Sequence, residues 1–386
     1  MVSNPTIDVL IPVFNAAKTV ESAIASIQAQ TLRDIRIIVV NDGSTDGTQA
    51  IIERLAAVDS RLVLINRPNG GIVDALNAGL AACTADLIAR HDADDIAVPD
   101  RFEKQLNWLR SHPECSAVSG AIIEIDEAGR KLSPQGVPSS PDLADAEHYP
   151  QWEPHLVHPF LMLRRAAIEA VGGYRYVFHA EDTDLYWRLQ EIGQLANMPD
   201  LLGCYRIHSQ SVTSASTLNG RIAAMSSQLC GLSAMRRRAG RPDIAFPPSA
   251  LSEYKQARTL KDIVRLGSRG LDAEETTRLA ASTSAKLLEV SAYRPYELDG
   301  QDCAFIRDTI MHALPSMTLG NRTLCVRRLS GTAARLAAQG HVSAALRLSP
   351  VRYYPLVAAR FALRIMLPNS LRYGMRKMAG RPAMVK

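Results

Sequence analysis

Short apolar runs alternate with longer stretches of helical spacing from the N-terminus to about residue 200. Residues 7–13, 35–40, 62–65 and 87–89 are rich in Ile, Val and Leu and end in polar or glycine-containing turns, the pattern of buried strands. Between them, 17–30, 45–57 and 73–82 repeat apolar residues every three or four positions, as helices do. Further along, 101–110, 166–171 and 182–192 read as helices and 117–126 and 161–164 as strands; 133–154 is rich in Pro and Ser and reads as a surface loop. Such alternation predicts an α/β fold with a mostly parallel sheet and helices on both faces. Ligands of such sheets bind beyond the carboxyl ends of the strands. Three polar clusters fall there: Phe14-Asn15, Asp42-Gly43-Ser44 and Asp92–Asp95.

Past about residue 220 strand signals stop, and Ala, Leu and Arg dominate. Residues 333–348 read as a helical hairpin broken at Gly340, and 353–377 set Arg360, Arg364, Arg372, Arg376 and Lys377 among apolar residues. The expected division is a catalytic domain over 1–218 and a helical region over 219–386. Charge sharpens it. After Asp308 no acid occurs, while the last 78 residues carry 13 Lys and Arg; of 44 basic and 39 acidic residues, 31 and 39 precede, a net −8. A basic amphipathic tail of this kind suits an anionic membrane surface; a solvated helical domain without a partner is the other reading, and nucleic acid is not expected. Six scattered cysteines form no Cys-x-x-Cys pair, which argues against a zinc module or disulfide scaffold. Asp8 interrupts the first apolar run, and no window is long and apolar enough to span a bilayer, so the expected location is cytoplasmic, peripheral to the membrane's inner face.

Several residues carry candidate chemistry. Carboxylates two apart on an extended segment share a side, so Asp92 and Asp94 suit one cation; Mg²⁺ commonly takes one or two carboxylates plus substrate phosphate oxygens. An acidic turn capping the next helix is the plainer reading. Asp42 has the chemistry to accept the imide N–H of a pyrimidine, or to close a turn. Glu181-Asp182 opens a helix, where a carboxylate serves as a general base or as an N-cap. His208 is a candidate metal or diphosphate contact, and Arg188 a phosphate or core ion-pair residue.

Taken together, in this order, these motifs resemble family 2 glycosyltransferases, which share the GT-A fold. The residues that carry the likeness are Ile11-Pro12-Val13-Phe14-Asn15, Val40 to Thr48, Asn69-Gly70-Gly71, Ala75 to Gly79, His91 to Asp95, Gly172-Gly173-Tyr174, Glu181-Asp182 with Trp187-Arg188-Leu189, and Tyr205-Arg206-Ile207-His208, over residues 5–215. The resemblance implies that Pro12, Phe14 and Asn15 line the nucleotide, that Asp42 binds the base edge, and that Gly71 lets backbone approach the donor. It implies that Asp92 touches the ribose or donor sugar, that Asp94 and His208 ligate Mn²⁺ or Mg²⁺, and that Asp182 is the catalytic base. The expected reaction moves one sugar, with inversion, from a nucleotide sugar, UDP-linked by analogy, to a glycan or lipid-linked acceptor in cell-surface polysaccharide or glycolipid synthesis. No Gln-x-x-Arg-Trp follows Asp182, which speaks against a processive synthase. A nucleotidyltransferase would carry a Gly-rich basic loop after the first strand, where this chain has Phe14 to Lys18. An inactive sugar-nucleotide-binding scaffold is the other rival.

Overall fold

A computed structural model describes residues 5–207, 216–292, 296 and 298–366. The chain divides into two compact units. One comprises Met1–Ala144, Glu153–Val177 and Glu181–Ser209; the other comprises Asp145–Trp152, Phe178–Ala180 and Gln210–Lys386.

The first unit is built on strands β1 (Ile7–Val13), β2 (Ile35–Asn41), β3 (Leu62–Asn66), β4 (Leu87–Arg90), β5 (Ile96–Ala97), β6 (Cys115–Ile125), β7 (Met162–Arg164) and β8 (Gln194–Arg206). They form one sheet in the order β3-β2-β1-β4-β7-β6-β8-β5. The first four are mutually parallel, β7 runs antiparallel to both neighbours, and β6 and β8 are parallel. All seven residues of β1 are buried, as expected of a strand covered on both faces.

Its helices are α1 (Val20–Gln28), α2 (Thr48–Ala56), α3 (Ile72–Ala82), α4 (Arg101–Ser111), α5 (Arg165–Ala170) and α6 (Glu181–Gln190). The period of two along the strands sorts them. Ile7, Val9 and Ile11 pack with Ile24 of α1, Ile52 of α2 and Phe102 of α4 on one face. Leu10, Ile38 and Val40 pack with Leu76 of α3, Ile168 of α5 and Leu185 of α6 on the other. Gly79 shows how close α3 lies: a Cβ there would stand 2.0 Å from Leu10 Cδ1 and 3.0 Å from Val40 Cγ2. Asp8, the acid within the first apolar run, is fully buried but satisfied by Arg36 at 2.8 and 2.9 Å and by the N–H groups of Thr84 and Ala85 at 2.6 and 2.8 Å.

Two strands lack a sequence signal. β5 has two residues. β8 contains Pro199, Asp200 and Gly203, all poor strand formers; its ladder to β6 passes from Met198 opposite Gly120 to Leu201 opposite Ala121, so Pro199 and Asp200 bulge out unpaired.

The second unit is helical: α7 (Thr217–Arg238), α8 (Ala250–Gln256), α9 (Leu260–Gly267), α10 (Ala273–Val290), α11 (Gly300–Ala313), α12 (Leu319–Ala338), α13 (Val342–Leu348) and α14 (Tyr354–Met366). Its core joins Leu287, Ile306, Ile310, Leu329 and Leu348. Arg221 is bonded there to Asp302, at 2.7 Å, and to Asp299, at 2.8 Å. Gly340, at φ +89, turns α12 into α13, and that hairpin lies where the sequence places it. No helix among the described residues is long and apolar enough to cross a membrane.

Candidate active site

The loops after β1 and β2 are laced together at the carboxyl edge of the sheet. Asn15, at φ +49, donates its N–H to Ser44 Oγ (3.0 Å), and its Oδ1 accepts from Thr45 N (2.8 Å). Ala16 N donates to Thr48 Oγ1 (2.8 Å) and Ala17 N to Asp46 Oδ2 (3.1 Å). The Ser, Thr and Asp residues of the 44–48 segment thus serve as loop fasteners. Asn15 spends its side-chain oxygen on this frame, Pro12 is buried within β1, and Phe14 stands 51% exposed beside them. An exposed phenyl ring at this edge is free to stack on a planar ligand.

Asp42 is buried and organises the next loop. Its carboxylate accepts from Arg67 Nη1 (3.0 Å), Gly70 N (3.1 Å) and Gly71 N (2.8 Å), while its carbonyl accepts from Asn69 Nδ2 (2.9 Å). Gly71 sits at φ +91, a conformation that favours glycine, and nothing lies within 4 Å of where a Cβ would be. The backbone there is open to an approaching ligand.

After β4 comes the acidic turn. One carboxylate oxygen each of Asp92, Asp94 and Asp95 lies within 4.8 Å of the others. Asp95 Oδ1 accepts from Arg206 N (2.7 Å), whereas its buried Oδ2 has no hydrogen-bond partner among the described residues. Burial, then the charges of Asp92 and Asp94, push the Asp95 carboxyl well above its ordinary range. Three crowded carboxylates with an orphaned buried oxygen fit a hard divalent cation such as Mg²⁺ or Mn²⁺, which takes oxygen ligands. The turn is held from both sides. Arg206 Nε donates to Asp94 O (2.7 Å), and Arg90 Nη2 lies 2.5 Å from Asp92 Oδ1. His91 is buried and kept neutral by burial and by Arg101 and Arg90; its Nε2 lies 3.2 Å from Asp95 O and its Nδ1 3.2 Å from Arg101 Nη1. With Arg101 donating to Nδ1, the imidazole proton sits on Nε2.

Glu181 and Asp182 open α6, and both are partly buried. Burial, then the neighbouring Asp182, push Glu181 up to about 7, and the charge of Asp92 adds to this. Asp182 is also raised, by burial, against the pull of Thr183 N–H (2.6 Å), His155 and Arg90. The aspartate cluster and the Glu181–Asp182 pair therefore lie within reach of each other's charge. Tyr174 presents its N–H and carbonyl to the Asn77 side chain (3.0 and 2.9 Å), which docks this segment on α3. Arg188 is a core ion-pair residue, bonded to the buried Asp184 (2.8 Å) and to Val171 O (2.6 Å). His208 lies outside the described residues. Arg67, Arg90 and Arg206 carry much of the site's electrostatics, yet sequence reasoning passed over Arg67 and Arg90 and valued Arg206 only as part of a motif. Arg90, a cation closing an apolar strand just ahead of three acids, was the readable signal.

A family model described as glycosyl transferase family 2 matches residues 8–172. The amylovoran biosynthesis glycosyltransferase AmsE of Erwinia amylovora is 33% identical over 208 residues, 53% of this chain and 77% of that one. The chain belongs to glycosyltransferase family 2. It is a glycosyltransferase, and its α/β sheet with a helical C-terminal region is the fold class that its motifs imply. An uncharacterized glycosyltransferase of Haemophilus influenzae is 30% identical to the enzyme over 225 residues, 54% of this chain and 68% of that one. Among solved structures, the mannosyltransferase PcManGT of Pyrobaculum calidifontis, in complex with GDP-Man and Mn²⁺, has a TM-score of 0.45 at 19% identity, covering 90% of this chain and 88% of that one. So loose a likeness carries no argument about the site.

Proposed function

We propose that this glycosyltransferase moves one sugar, with inversion, from a UDP-sugar to a hydroxyl of a glycan or lipid-linked acceptor, in the synthesis of a cell-surface polysaccharide or glycolipid. One observation supports the reading: an aspartate cluster with carboxylate oxygens close enough to share a cation, and a separate carboxylate pair at the start of α6 that feels the charge of Asp92. In this reading Phe14 stacks on the base. Asp42, its orientation fixed by Gly70 and Gly71 N–H, offers its remaining lone-pair capacity to the base edge. Pro12 and Asn15 shape that loop, and Asp92 faces the ribose or donor sugar. Asp94, and His208 from the segment after Arg206, would hold Mn²⁺ or Mg²⁺; such an ion supplies charge neutralisation to the donor diphosphate as it leaves. Asp182 takes the proton of the acceptor hydroxyl. The acceptor oxygen then bonds to the anomeric carbon from the face opposite the diphosphate, the sugar–phosphate bond breaks, and UDP departs with that electron pair.

The enzyme's work on lipid-linked or surface glycans is served by an anionic membrane surface, on which it sits as a peripheral protein of the cytoplasmic face. Supporting this, α14 leaves Leu356, Leu363, Ile365 and Met366 exposed within the acid-free, arginine-rich end of the chain. Arg372, Arg376 and Lys377 lie outside the described residues. Flotation with phosphatidylglycerol vesicles should exceed that with neutral ones, and truncation before residue 350 should abolish the difference; equal flotation rejects the anchor.

A thermal-shift panel of UDP-, GDP- and dTDP-sugars with and without Mn²⁺ tests the donor. Stabilisation by a UDP-sugar that needs the metal is expected. Stabilisation by none of them, or equal shifts without metal, overturns the reading.

A further inference from the structure

Arg90 is the last residue of β4, and its side chain is as buried as a core leucine, at 5% exposure. One nitrogen, Nη2, meets Asp92. Nε and Nη1 are buried, and neither has a hydrogen-bond partner among the described residues. A buried donor left unpaired costs about 1–3 kcal/mol, and native proteins rarely tolerate one without a use for it. Packing gives no reason for a guanidinium here, since an apolar side chain of similar volume would fill the space without that cost. Other buried arginines are accounted for: Arg101 donates to Gln105 Oε1 (2.9 Å) and to Arg90 O (2.7 Å) and clamps His91, Arg206 donates to Asp94 O (2.7 Å) and Asp126 O (3.0 Å), and Arg188 to Asp184 (2.8 Å) and Val171 O (2.6 Å). Arg90 fastens no backbone in this way. Its charge instead reaches Asp92 and Asp95 in the acidic turn and Glu181, Asp182 and Tyr174 across the site.

We propose that Arg90 is a positioning residue for glycosyl transfer: through its ion pair it fixes Asp92 toward the donor, and its buried positive charge acts at longer range on the Glu181–Asp182 carboxylates. The inference rests on the transferase reading above. The ion pair restricts the half-buried Asp92 to one orientation before the donor arrives. The fixed charge favours the ionised form of Asp182, the form that takes the acceptor's proton. Burial and Glu153 oppose that ionisation; Arg90, His155 and Thr183 N–H support it. Tyr186, also buried and with its hydroxyl unpartnered among the described residues, feels the charges of both Asp182 and Arg90.

The experiment is turnover of UDP-, GDP- and dTDP-sugars with Mn²⁺, followed by nucleotide release with water as acceptor, over a range of pH, for the wild type, Arg90→Met and Arg90→Lys. Arg90→Met should lower kcat at neutral pH by about tenfold and move the acid limb of the profile up by about one pH unit, because a base without its supporting cation protonates more readily. Arg90→Lys restores the charge but not the forked geometry. It should return the acid limb to its wild-type place while the donor KM stays raised several-fold. These readouts are independent of the melting temperature, which a merely structural role would lower without moving the limb. A wild-type acid limb and donor KM in Arg90→Met overturn the assignment. Absence of turnover by the wild type with every one of these donors removes the donor reading proposed above, and this proposal with it.

Discussion

Replacing Glu181 by Gln should make the protein more stable, and increasingly so as pH rises. Burial and the neighbouring Asp182 raise the Glu181 carboxyl from 4.5 to about 7. A gap of this size corresponds to about 3 kcal/mol between its protonated and ionised forms in the fold. Allowing for the solvent that reaches a partly exposed carboxyl lowers this to about 2 kcal/mol. A carboxyl whose folded pKa exceeds its unfolded one stabilises the fold fully below about 4.5 and loses that contribution as pH climbs through about 7. The amide of the Glu181→Gln variant does not titrate, so the stability difference between variant and wild type reports Glu181 together with its interaction with Asp182. Urea unfolding followed by the emission of Trp108 and Trp187, both in the first unit, measures it at about pH 5 and about pH 8. The variant's advantage should widen by about 2 kcal/mol between the two. Parallel stability curves would show that Glu181 ionises freely in the folded protein and that the carboxylate pair is not electrostatically strained.

Other substitutions probe the frame. Gly79→Ala drives a methyl group into Leu10 and Val40 and should cost about 1–3 kcal/mol in urea unfolding of the first unit; an unchanged midpoint would mean that α3 retreats freely. Asp46→Ala removes the acceptor of Ala17 N and the partner of Thr48, so the nucleotide KM should rise several-fold with only about 1 kcal/mol of stability lost, measured by donor titration and melting. In the second unit, Asp302→Ala leaves the buried Arg221 without its main partner and should cost about 3–5 kcal/mol in thermal or urea unfolding of that unit.

The parts legible in the sequence are those whose pattern is local. β1 to β4 are branched apolar runs closed by turns, and each exit motif sits next to its strand. The Asp92–Asp95 cluster and Glu181–Asp182 could be singled out because carboxylates at a strand exit or a helix start are conspicuous. β8 was hidden because Pro199 and Asp200 argue against a strand, and only the partner β6 makes room for them as a bulge. Arg67 and Arg206 act through partners 25 and 112 residues away, and no local spacing announces such pairs, whereas Arg90 stands two residues before its partner Asp92. Asn15 and Asp42 show the converse. The motif drew attention to them as ligand contacts, while their hydrogen bonds reveal work in holding the loops that would surround the ligand.

The proposed reaction divides the carboxylates between two duties, one toward the cation and diphosphate and one toward the acceptor proton. The most direct measurement is sugar release from a labelled UDP-sugar with Mn²⁺, alongside Mn²⁺-dependent UDP binding, for the wild type, Asp94→Ala and Asp182→Asn. Asp94→Ala should lose both metal-dependent binding and turnover; Asp182→Asn should still bind UDP with Mn²⁺ yet turn over at least about a thousandfold more slowly. Turnover at the wild-type rate by Asp182→Asn, or metal-dependent UDP binding undiminished in Asp94→Ala, would contradict it.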